Sequence, residues 1–274
     1  MDARRSNGRN KPILDDGARG DLVMLLDGRV VIVTGGGRGI GACICRVLAS
    51  HGASVAVNYS ASGDAARAVV EEIRTAGGRA STFQADVTDA ASVQAMVDAV
   101  MAEYGRVDGV VNNAISGRQM GGLDETTIAD FENAFAFGCR AVVNTVTSLR
   151  PIFKAQGGGR VVNIVTELWN LAPAKWSVYM AGKGAMVGIS RSLACELGPD
   201  GITVNMVAPG WMVTEKVDTD SEGSRNFAAG LPLRRHGSGD EIGNGCVFFL
   251  SDLGSYVTGA YILVNGGRVT QMGA

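Results

Sequence analysis

The sequence lacks the features that mark several common classes of protein. Proline is scarce, at 6 of 274 residues, and the glycines follow no three-residue period, which excludes a collagen-like chain. The formal net charge is only -2, so no broad basic surface indicates nucleic acid as a partner. No apolar run approaches the roughly 18 residues of a membrane span, and the first residues contain no apolar signal-peptide core. We therefore expect a soluble, cytoplasmic protein that binds neither nucleic acid nor a membrane.

The cysteines follow no pattern that would indicate a metal site or a disulfide framework. There are 5 of them, and none stands in a Cys-x-x-Cys or Cys/His arrangement with the spacing of a zinc site. Two of them, Cys43 and Cys45, lie on an apolar stretch with helical character. We expect no metal site and interpret the cysteines as buried thiols of a protein in a reducing compartment.

Glycine, by contrast, is abundant. The 39 glycines are roughly twice the usual share of a globular protein. Most of them lie between apolar runs, and the chain is 46% hydrophobic and 19% charged, which excludes a disordered protein. A chain of 274 residues is short enough to form one α/β domain, so the glycines are expected to separate regular elements within it.

Short runs rich in valine and isoleucine alternate with longer amphipathic segments from Gly28 onward. This alternation is typical of βαβ units and predicts the α/β class, with a doubly wound parallel sheet covered by helices on both faces. We predict a partly disordered extension over residues 1–26 and a single domain over 27–274. The predicted strands are Val30–Thr34, Ser54–Tyr59, Ala80–Ala85, Gly109–Asn112, Arg160–Val165, Thr203–Val207 and Tyr261–Val264, and the predicted helices lie near 40–51, 62–76, 90–104, 126–155, 178–197 and 240–251.

A glycine-rich segment follows the first predicted strand and opens the first helix. Glycines allow the backbone to turn sharply and to approach a diphosphate, whose charge is stabilised by the N–H groups at the helix N-terminus. A flexible turn is the alternative interpretation, but a position between a strand and a helix favours phosphate binding. The segment predicts cofactor contacts at Gly35, Gly37, Arg38, Gly39, Ile40 and Gly41.

The ends of the next strands indicate which dinucleotide is bound. The second strand ends in Asn58, Tyr59 and Ser60, without the carboxylate that would bind the ribose hydroxyls of NAD. Arg38 supplies a positive charge suited to the 2′-phosphate of NADP, so the sequence favours NADP(H) over NAD(H). After the third strand, Asp86 and Val87 either contact the adenine or cap the following helix.

Three residues indicate the chemistry. Tyr179 and Lys183 are four residues apart on a predicted helix, so they share a face, and the ammonium is expected to favour the ionised phenol. A tyrosine tuned in this way can donate a proton to a developing alkoxide at neutral pH. Thr166 ends the fifth strand and places a hydroxyl at the carboxyl edge of the sheet, where a substrate carbonyl would lie. These residues predict a catalytic site for a carbonyl group, although Tyr-x-x-x-Lys alone is frequent by chance.

The order and spacing of these motifs resemble the short-chain dehydrogenase/reductase family from Gly28 to Gly267. The matching pieces are the glycine segment 34–41, Asp86-Val87, Asn112-Asn113-Ala114, Tyr179 with Lys183, Val204-Asn205, Pro209-Gly210, Thr214 and Val264-Asn265-Gly266-Gly267.

The resemblance implies an NAD(P)-binding Rossmann domain with a seven-stranded parallel sheet, an NAD(P)-dependent oxidation or reduction, and usually a homotetramer. It implies that Tyr179 and Lys183 also hold the nicotinamide ribose, and that a substrate lid lies near residues 211–235. Within the family the chain is most similar to bacterial 3-oxoacyl-[acyl-carrier-protein] reductases. Further cofactor contacts are implied at Asn113, Ala114, Pro209, Gly210, Val213 and Thr214.

Three positions depart from the family pattern. Thr166 replaces the usual serine, and Ile115 replaces the glycine that usually follows Asn-Asn-Ala. Gly138 stands where the family usually has an asparagine that holds a proton-relaying water. Water alone or the nearby Asn144 would then take over this role, and we expect slower turnover with the same chemistry.

The substrate side of the site is expected to be aromatic. Trp169, Trp176 and Trp211 fall in segments that border the family's substrate cleft, and Ile115 would shape one wall. Glu167 would either point into solvent or disfavour anionic substrates near the carbonyl. We therefore expect an NADPH-dependent ketoreductase acting on a 3-oxoacyl thioester or a hydrophobic ketone. An NAD-linked alcohol or diol dehydrogenase and a catalytically impaired cofactor-binding protein are the alternatives.

Overall fold

A parallel sheet of seven strands forms the centre of the computed structural model, which describes residues 24–117, 120–214 and 218–269. The strand order is β3-β2-β1-β4-β5-β6-β9, and every neighbouring pair is parallel. A separate pair, β7 and β8, lies outside this sheet. In chain order the strands are β1 (Val30–Val33), β2 (Ser54–Tyr59), β3 (Arg79–Gln84), β4 (Gly109–Asn112), β5 (Gly159–Ile164), β6 (Ile202–Pro209), β7 (Met212–Val213), β8 (Gly237–Ser238) and β9 (Tyr261–Val264).

Helices connect the strands and cover both faces of the sheet. They are α1 (Gly39–Ser50), α2 (Gly63–Thr75), α3 (Ala90–Tyr104), α4 (Ile128–Phe135), α5 (Ala141–Gln156), α6 (Leu168–Leu171), α7 (Ser177–Leu197), α8 (Glu222–Gly230) and α9 (Gly239–Leu250). A π-helical turn, Ala136–Arg140, separates α4 from α5. Short 3₁₀ turns lie at Leu123–Glu125, Gly198–Asp200 and Asp252–Gly254.

The apolar strands are buried on both faces because side chains alternate along a strand. In β1, Val30 and Ile32 pack on one face with residues of α3, α5 and α7. Val31 and Val33 pack on the other face with residues of α1, α2 and α9. The predicted doubly wound α/β fold is therefore confirmed, and the carboxyl ends of β1, β4 and β5 meet at one edge of the sheet.

The long helix predicted over 126–155 changes its hydrogen-bonding pattern at a π-helical turn. Its residues form α4, the π-helical turn and α5, because a π turn inserts an extra residue without ending the helix. Two helices were not predicted: α6 has only 4 residues, and α8 lies in a polar segment without a long apolar repeat.

Leu26, the last residue of the predicted N-terminal extension, belongs to the folded domain. Residues 1–23 of the predicted extension lie outside the described residues, but Leu26 is fully buried and its N–H donates to the His51 carbonyl at 2.9 Å.

The expectation of buried thiols holds for Cys45 and Cys246 and is wrong for Cys195, which lies on the exposed side of α7. In the described part of the chain, no helix is long and apolar enough to cross a membrane.

Candidate active site

The glycine segment between β1 and α1 is held in a tight turn. A Cβ atom at Gly41 would lie 2.5 Å from Asn113 Nδ2 and nearer still to the Gly35 carbonyl oxygen, so only glycine fits there. Asn113 Nδ2 donates to the carbonyls of Thr34 (2.9 Å) and Gly35 (3.2 Å). Helix α1 has no acidic residue in its first turn, and Arg38 at its N-cap makes no side-chain capping bond. The arrangement presents a positive helix terminus to an anion.

Asn58 supports this turn from the neighbouring strand. Its Oδ1 accepts from the Gly35 N–H at 3.2 Å, and its Nδ2 donates to the carbonyls of Phe83 and Ala85. The amide therefore joins the ends of β1, β2 and β3. Asn58 borders the predicted cofactor site, but the hydrogen bonds of its side chain go to the backbone.

A cleft of about 720 Å³ runs along the carboxyl edge of the sheet. Its size and its glycine-lined floor fit an extended dinucleotide. The sequence did not predict Ser62, Thr88, Ser116, Asn133 and Phe137 as lining residues, although the first two are small polar residues just after strand ends. Of the predicted residues, the cleft brings together Gly35, Gly37, Arg38, Gly39, Ile40, Gly41, Asn58, Tyr59, Ser60, Asp86, Val87, Asn113, Ala114, Ile115 and Thr214.

The structure shows that Asp86 does not cap helix α3. Asp86 Oδ1 accepts from the N–H and the hydroxyl of Thr88, at 2.9 and 2.7 Å. The cap of α3 is Asp89, whose carboxylate accepts from the Ser92 N–H at 2.7 Å. The capping alternative is therefore wrong for Asp86, which lines the cleft instead.

Tyr179, Lys183 and Thr166 meet where β5 ends against α7. The Thr166 side chain lies near enough to the Tyr179 phenol to favour its ionised form. Lys183 is 5% exposed, and its Nζ donates to the Ile164 carbonyl at 2.5 Å. This bond holds the ammonium behind the tyrosine, 5.9 Å from the centre of its ring. The structure therefore places a hydroxyl, a phenol and an ammonium group together. Tyr179 and Lys183 line a small pocket that shares Ala114 and Ile115 with the cleft.

Burial has the largest effect on the pKa values of Tyr179 and Lys183. It raises the pKa of Tyr179 above its ordinary value, and the nearby Thr166 side chain opposes this effect only in part. Burial also lowers the pKa of Lys183 to about 8. A net lowering of the Tyr179 pKa, expected from the neighbouring Lys183, is not found in the protein by itself, because the loss of hydration has the largest effect on the phenol. The phenol is therefore protonated at neutral pH, as a proton donor must be.

Gly138 lies against α7, the helix that carries Tyr179 and Lys183. A Cβ atom there would lie 2.5 Å from the carbonyl carbon of Gly182 and nearer still to its oxygen, so the backbones are in direct contact. A cavity of about 10 Å³, the space of about one water, touches Gly138, Tyr179 and Lys183. Asn144 Nδ2 donates to the Val87 carbonyl at 3.0 Å. Asn144 is therefore engaged elsewhere, and the suggestion that it replaces the family's asparagine is wrong.

Strand β9 supports the loop that carries Thr166. The Tyr261 hydroxyl lies 2.7 Å from the Thr166 carbonyl oxygen and 2.9 Å from Asn170 Oδ1, so its proton holds this loop. Leu168 N–H donates to Thr166 Oγ1 at 3.2 Å, and Glu167 N–H donates to the Pro209 carbonyl at 3.1 Å. No sequence signal indicated the role of Tyr261, because β9 and Thr166 are far apart along the chain.

Four of the further cofactor contacts implied by the family resemblance lie at the end of β6 or just after it. Gly210 N–H donates to the Val264 carbonyl at 2.9 Å, and a Cβ atom at Gly210 would lie 2.9 Å from the Asn265 backbone. Val213 belongs to β7, and Thr214 next to it reaches the cleft. Pro209 and Gly210 are thus placed at the end of β6, beside the Thr166 loop, and Val213 follows in β7.

The predicted substrate residues do not all lie together. Trp176 packs edge-on against Tyr179, with ring centres 5.6 Å apart. Ile115 is exposed and lines the cleft beside Tyr179. Trp211 packs against Phe227 of α8. Trp169, in contrast, packs over Gly184 on another side of α7.

Glu167 does not point into solvent. Its side chain is 2% exposed, and it forms an ion pair with Arg268 at 2.8 Å. The solvent alternative is therefore wrong, and Arg268 compensates the charge that was expected to repel anionic substrates.

Known proteins are similar to this chain over most of its length. The family model described as enoyl-(acyl carrier protein) reductase matches residues 35–268. The chain is 36% identical over 237 residues to the 3-oxoacyl-[acyl-carrier-protein] reductase FabG of Staphylococcus aureus, covering 86% of this chain and 96% of that protein. It is 34% identical over 250 residues to the D-threitol dehydrogenase of Mycolicibacterium smegmatis, covering 90% and 95%.

The fold has a solved counterpart. A blue fluorescent protein from a metagenomic library, in complex with NADPH, is 37% identical, with a TM-score of 0.81 and coverage of 90% of this chain and 100% of that one. The motifs, the sheet order and the Thr166–Tyr179–Lys183 group agree with this similarity. The chain therefore belongs to the short-chain dehydrogenase/reductase family and is an NAD(P)-dependent oxidoreductase.

Proposed function

We propose that the protein is an NADPH-dependent ketoreductase that acts on a hydrophobic ketone or a 3-oxoacyl thioester. The observation that carries this proposal is the meeting of Thr166, Tyr179 and Lys183 next to the dinucleotide-sized cleft. The similarity to FabG supports the reaction class.

The cofactor preference follows from the charge at the cleft. The end of β2, at Asn58, Tyr59 and Ser60, offers no carboxylate to the adenosine ribose. Arg38 lies in the cleft and is exposed, so its guanidinium is available to a 2′-phosphate. The backbone of the glycine segment and the N-terminus of α1 suit the diphosphate. We therefore assign NADP(H) rather than NAD(H), in line with the NADPH in the similar metagenomic protein.

The catalytic roles follow from the positions of the three side chains. NADPH supplies a hydride when bound. The Thr166 hydroxyl hydrogen-bonds the substrate carbonyl oxygen and orients it toward Tyr179. Tyr179, whose raised pKa keeps it protonated, donates its proton to that oxygen as negative charge develops there. Lys183, held by the Ile164 carbonyl, provides a positive charge that stabilises the phenolate once the proton has left.

The substrate side favours apolar ketones. Ile115 and Trp211 expose apolar surface, and Trp176 lies against the catalytic tyrosine. A second candidate is the oxidation of a polyol, favoured by the similarity to D-threitol dehydrogenase. The absence of a carboxylate at Asn58–Ser60 makes the NAD-linked form of that reaction the weaker candidate.

Absorbance at 340 nm tests the proposal. Oxidation of NADPH and NADH is followed with acetoacetyl thioester, 4-phenyl-2-butanone and 2-butanone, and the reduction of NAD⁺ and NADP⁺ is followed with D-threitol. The proposal predicts NADPH oxidation with at least one ketone and a lower kcat/KM with NADH. Reduction of NAD⁺ by D-threitol alone would favour the dehydrogenase, and binding of NADPH without any turnover would favour an impaired cofactor-binding protein.

The resemblance to the family also supports proposals about the protein's oligomeric state and cellular location. We assign a homotetramer in the cytoplasm, with neither nucleic acid nor a membrane as a partner. Sedimentation equilibrium of the purified chain checks the assembly, and a monomer across the micromolar range would contradict it.

A further inference from the structure

The Glu167–Arg268 ion pair is unusual because it is buried on one side only. Arg268 Nη1 donates to Glu167 Oε1 at 2.8 Å, and the two side chains are 37% and 2% exposed. Among the described residues, the second carboxylate oxygen, Oε2, is buried without a hydrogen-bond partner. The carboxylate therefore depends on Arg268 for its compensating charge, and a buried charge that loses its partner is strongly unfavourable.

Arg268 makes a second contact, with an aromatic cluster. Its guanidinium carbon lies 4.8 Å from the ring centre of Phe227, on helix α8. Phe227 stacks on His236 at 5.3 Å, and Trp211 packs edge-on against Phe227 at 4.8 Å. We name Trp211, Phe227 and His236 the aromatic wall. Because a planar guanidinium can stack and donate at the same time, one side chain joins this wall to Glu167.

The other end of the connection is rigid. Glu167 directly follows Thr166, and its N–H is bound to the Pro209 carbonyl. The Thr166 carbonyl oxygen is bound by the Tyr261 hydroxyl. The position of Arg268 is therefore set relative to the hydroxyl of Thr166, and the position of the aromatic wall follows from it.

We propose that Glu167 and Arg268 form a clasp that holds the aromatic wall beside the catalytic loop, and that Arg268 thereby determines specificity for ketones with an aromatic or bulky apolar group. This inference rests on the ketoreductase function proposed above. Trp211 is 42% exposed, so the wall offers apolar surface to such a group. A small ketone has no such group.

The test compares two methyl ketones of different size in four proteins. 4-Phenyl-2-butanone carries a ring, and 2-butanone does not. In the wild type, kcat/KM should favour the larger ketone. Arg268→Met should raise the KM of the larger ketone about tenfold with little change in kcat, because the contact helps substrate and transition state alike. Arg268→Lys keeps the charge but not the planar face, so its loss should be smaller.

A double-mutant cycle shows whether the two residues act together. Glu167→Gln should weaken the preference as Arg268→Met does, and the double variant should lose no more than either single variant. Additive losses would show independent effects and overturn the clasp. Arg191→Met, an exposed position on α7, is the control for the loss of one positive charge, and its preference should match the wild type.

Hydrogen exchange gives a readout that needs no activity. In Arg268→Met, the amides of α8 should exchange about tenfold faster, because their anchor is lost, while those of α7 should not change. Equal losses for both ketones would show a merely structural role and overturn the specificity claim. Reduction of acetoacetyl thioester but of neither methyl ketone would overturn the specificity claim alone. If the wild type reduces none of the three substrates, the ketoreductase function fails, and hydrogen exchange alone tests the clasp: unchanged rates in α8 would refute it.

Discussion

Replacing Gly138 by alanine should destabilise the protein through a steric conflict between two helices. The new Cβ atom would lie 2.5 Å from the carbonyl carbon of Gly182, whereas real Cβ atoms essentially never come closer than 3.0 Å. The contact involves backbone, which cannot rotate away, so α7 and the π-helical turn would have to separate by roughly 1 Å. Overpacking of this kind costs about 1–3 kcal/mol, which lowers the Tm by roughly 2–10 °C in a domain of this size.

Gly188→Ala is the matched control. Gly188 lies on α7, the helix that Gly138 contacts, is exposed, and has nothing within 4 Å of its added Cβ. Alanine has the higher helix propensity, so this variant should be stabilised by about 0.5–1 kcal/mol. Thermal unfolding followed by circular dichroism measures both variants against the wild type. A Gly138→Ala protein as stable as the wild type would refute the steric argument and would allow Gly138→Asn as a clean test of the missing amide.

Two further predictions concern charge. Because the pKa of Lys183 is about 8 in the folded protein and 10.5 for a fully hydrated lysine, the unfolded chain binds more protons between these values. The free energy of unfolding should thus rise by about 3 kcal/mol from pH 8 to pH 10.5, relative to Lys183→Met, and urea titrations that give parallel curves would contradict this. Arg38→Gln should raise the KM for NADPH about 10- to 100-fold and leave that for NADH nearly unchanged, as expected for a lost charge-assisted bond; an equal effect on both cofactors would show that Arg38 does not read the 2′-phosphate.

Local sequence patterns were sufficient for much of the fold. Val30–Val33 and Gly109–Asn112 are short apolar runs next to glycine or polar residues, so their strand character is visible without tertiary information. The glycine segment was equally clear, because close backbone approach leaves few choices of residue at Gly41.

Contacts between distant parts of the chain could not be predicted in this way. Glu167 and Arg268 are 101 residues apart, and neither side chain shows in the sequence that it will meet the other. The role of Gly138 also depends on packing, because the sequence shows a missing amide, whereas the structure shows a helix contact that excludes a side chain. Burial likewise reversed the expected direction of the Tyr179 pKa shift. The spacing in the sequence indicates that a lysine is near the tyrosine, but it does not show how much hydration the phenol loses.

The most direct test of the account is a single-turnover comparison of the wild type with Tyr179→Phe. Enzyme in excess of NADPH is mixed with a ketone that the wild type reduces, and NADPH oxidation is followed at 340 nm, while fluorescence titration gives the NADPH dissociation constant. The account predicts that the rate falls by about 10²–10⁴ because the proton donor is lost, with cofactor affinity changed by less than about twofold. A variant that oxidises NADPH at the wild-type rate would contradict the assignment of Tyr179 as the proton donor.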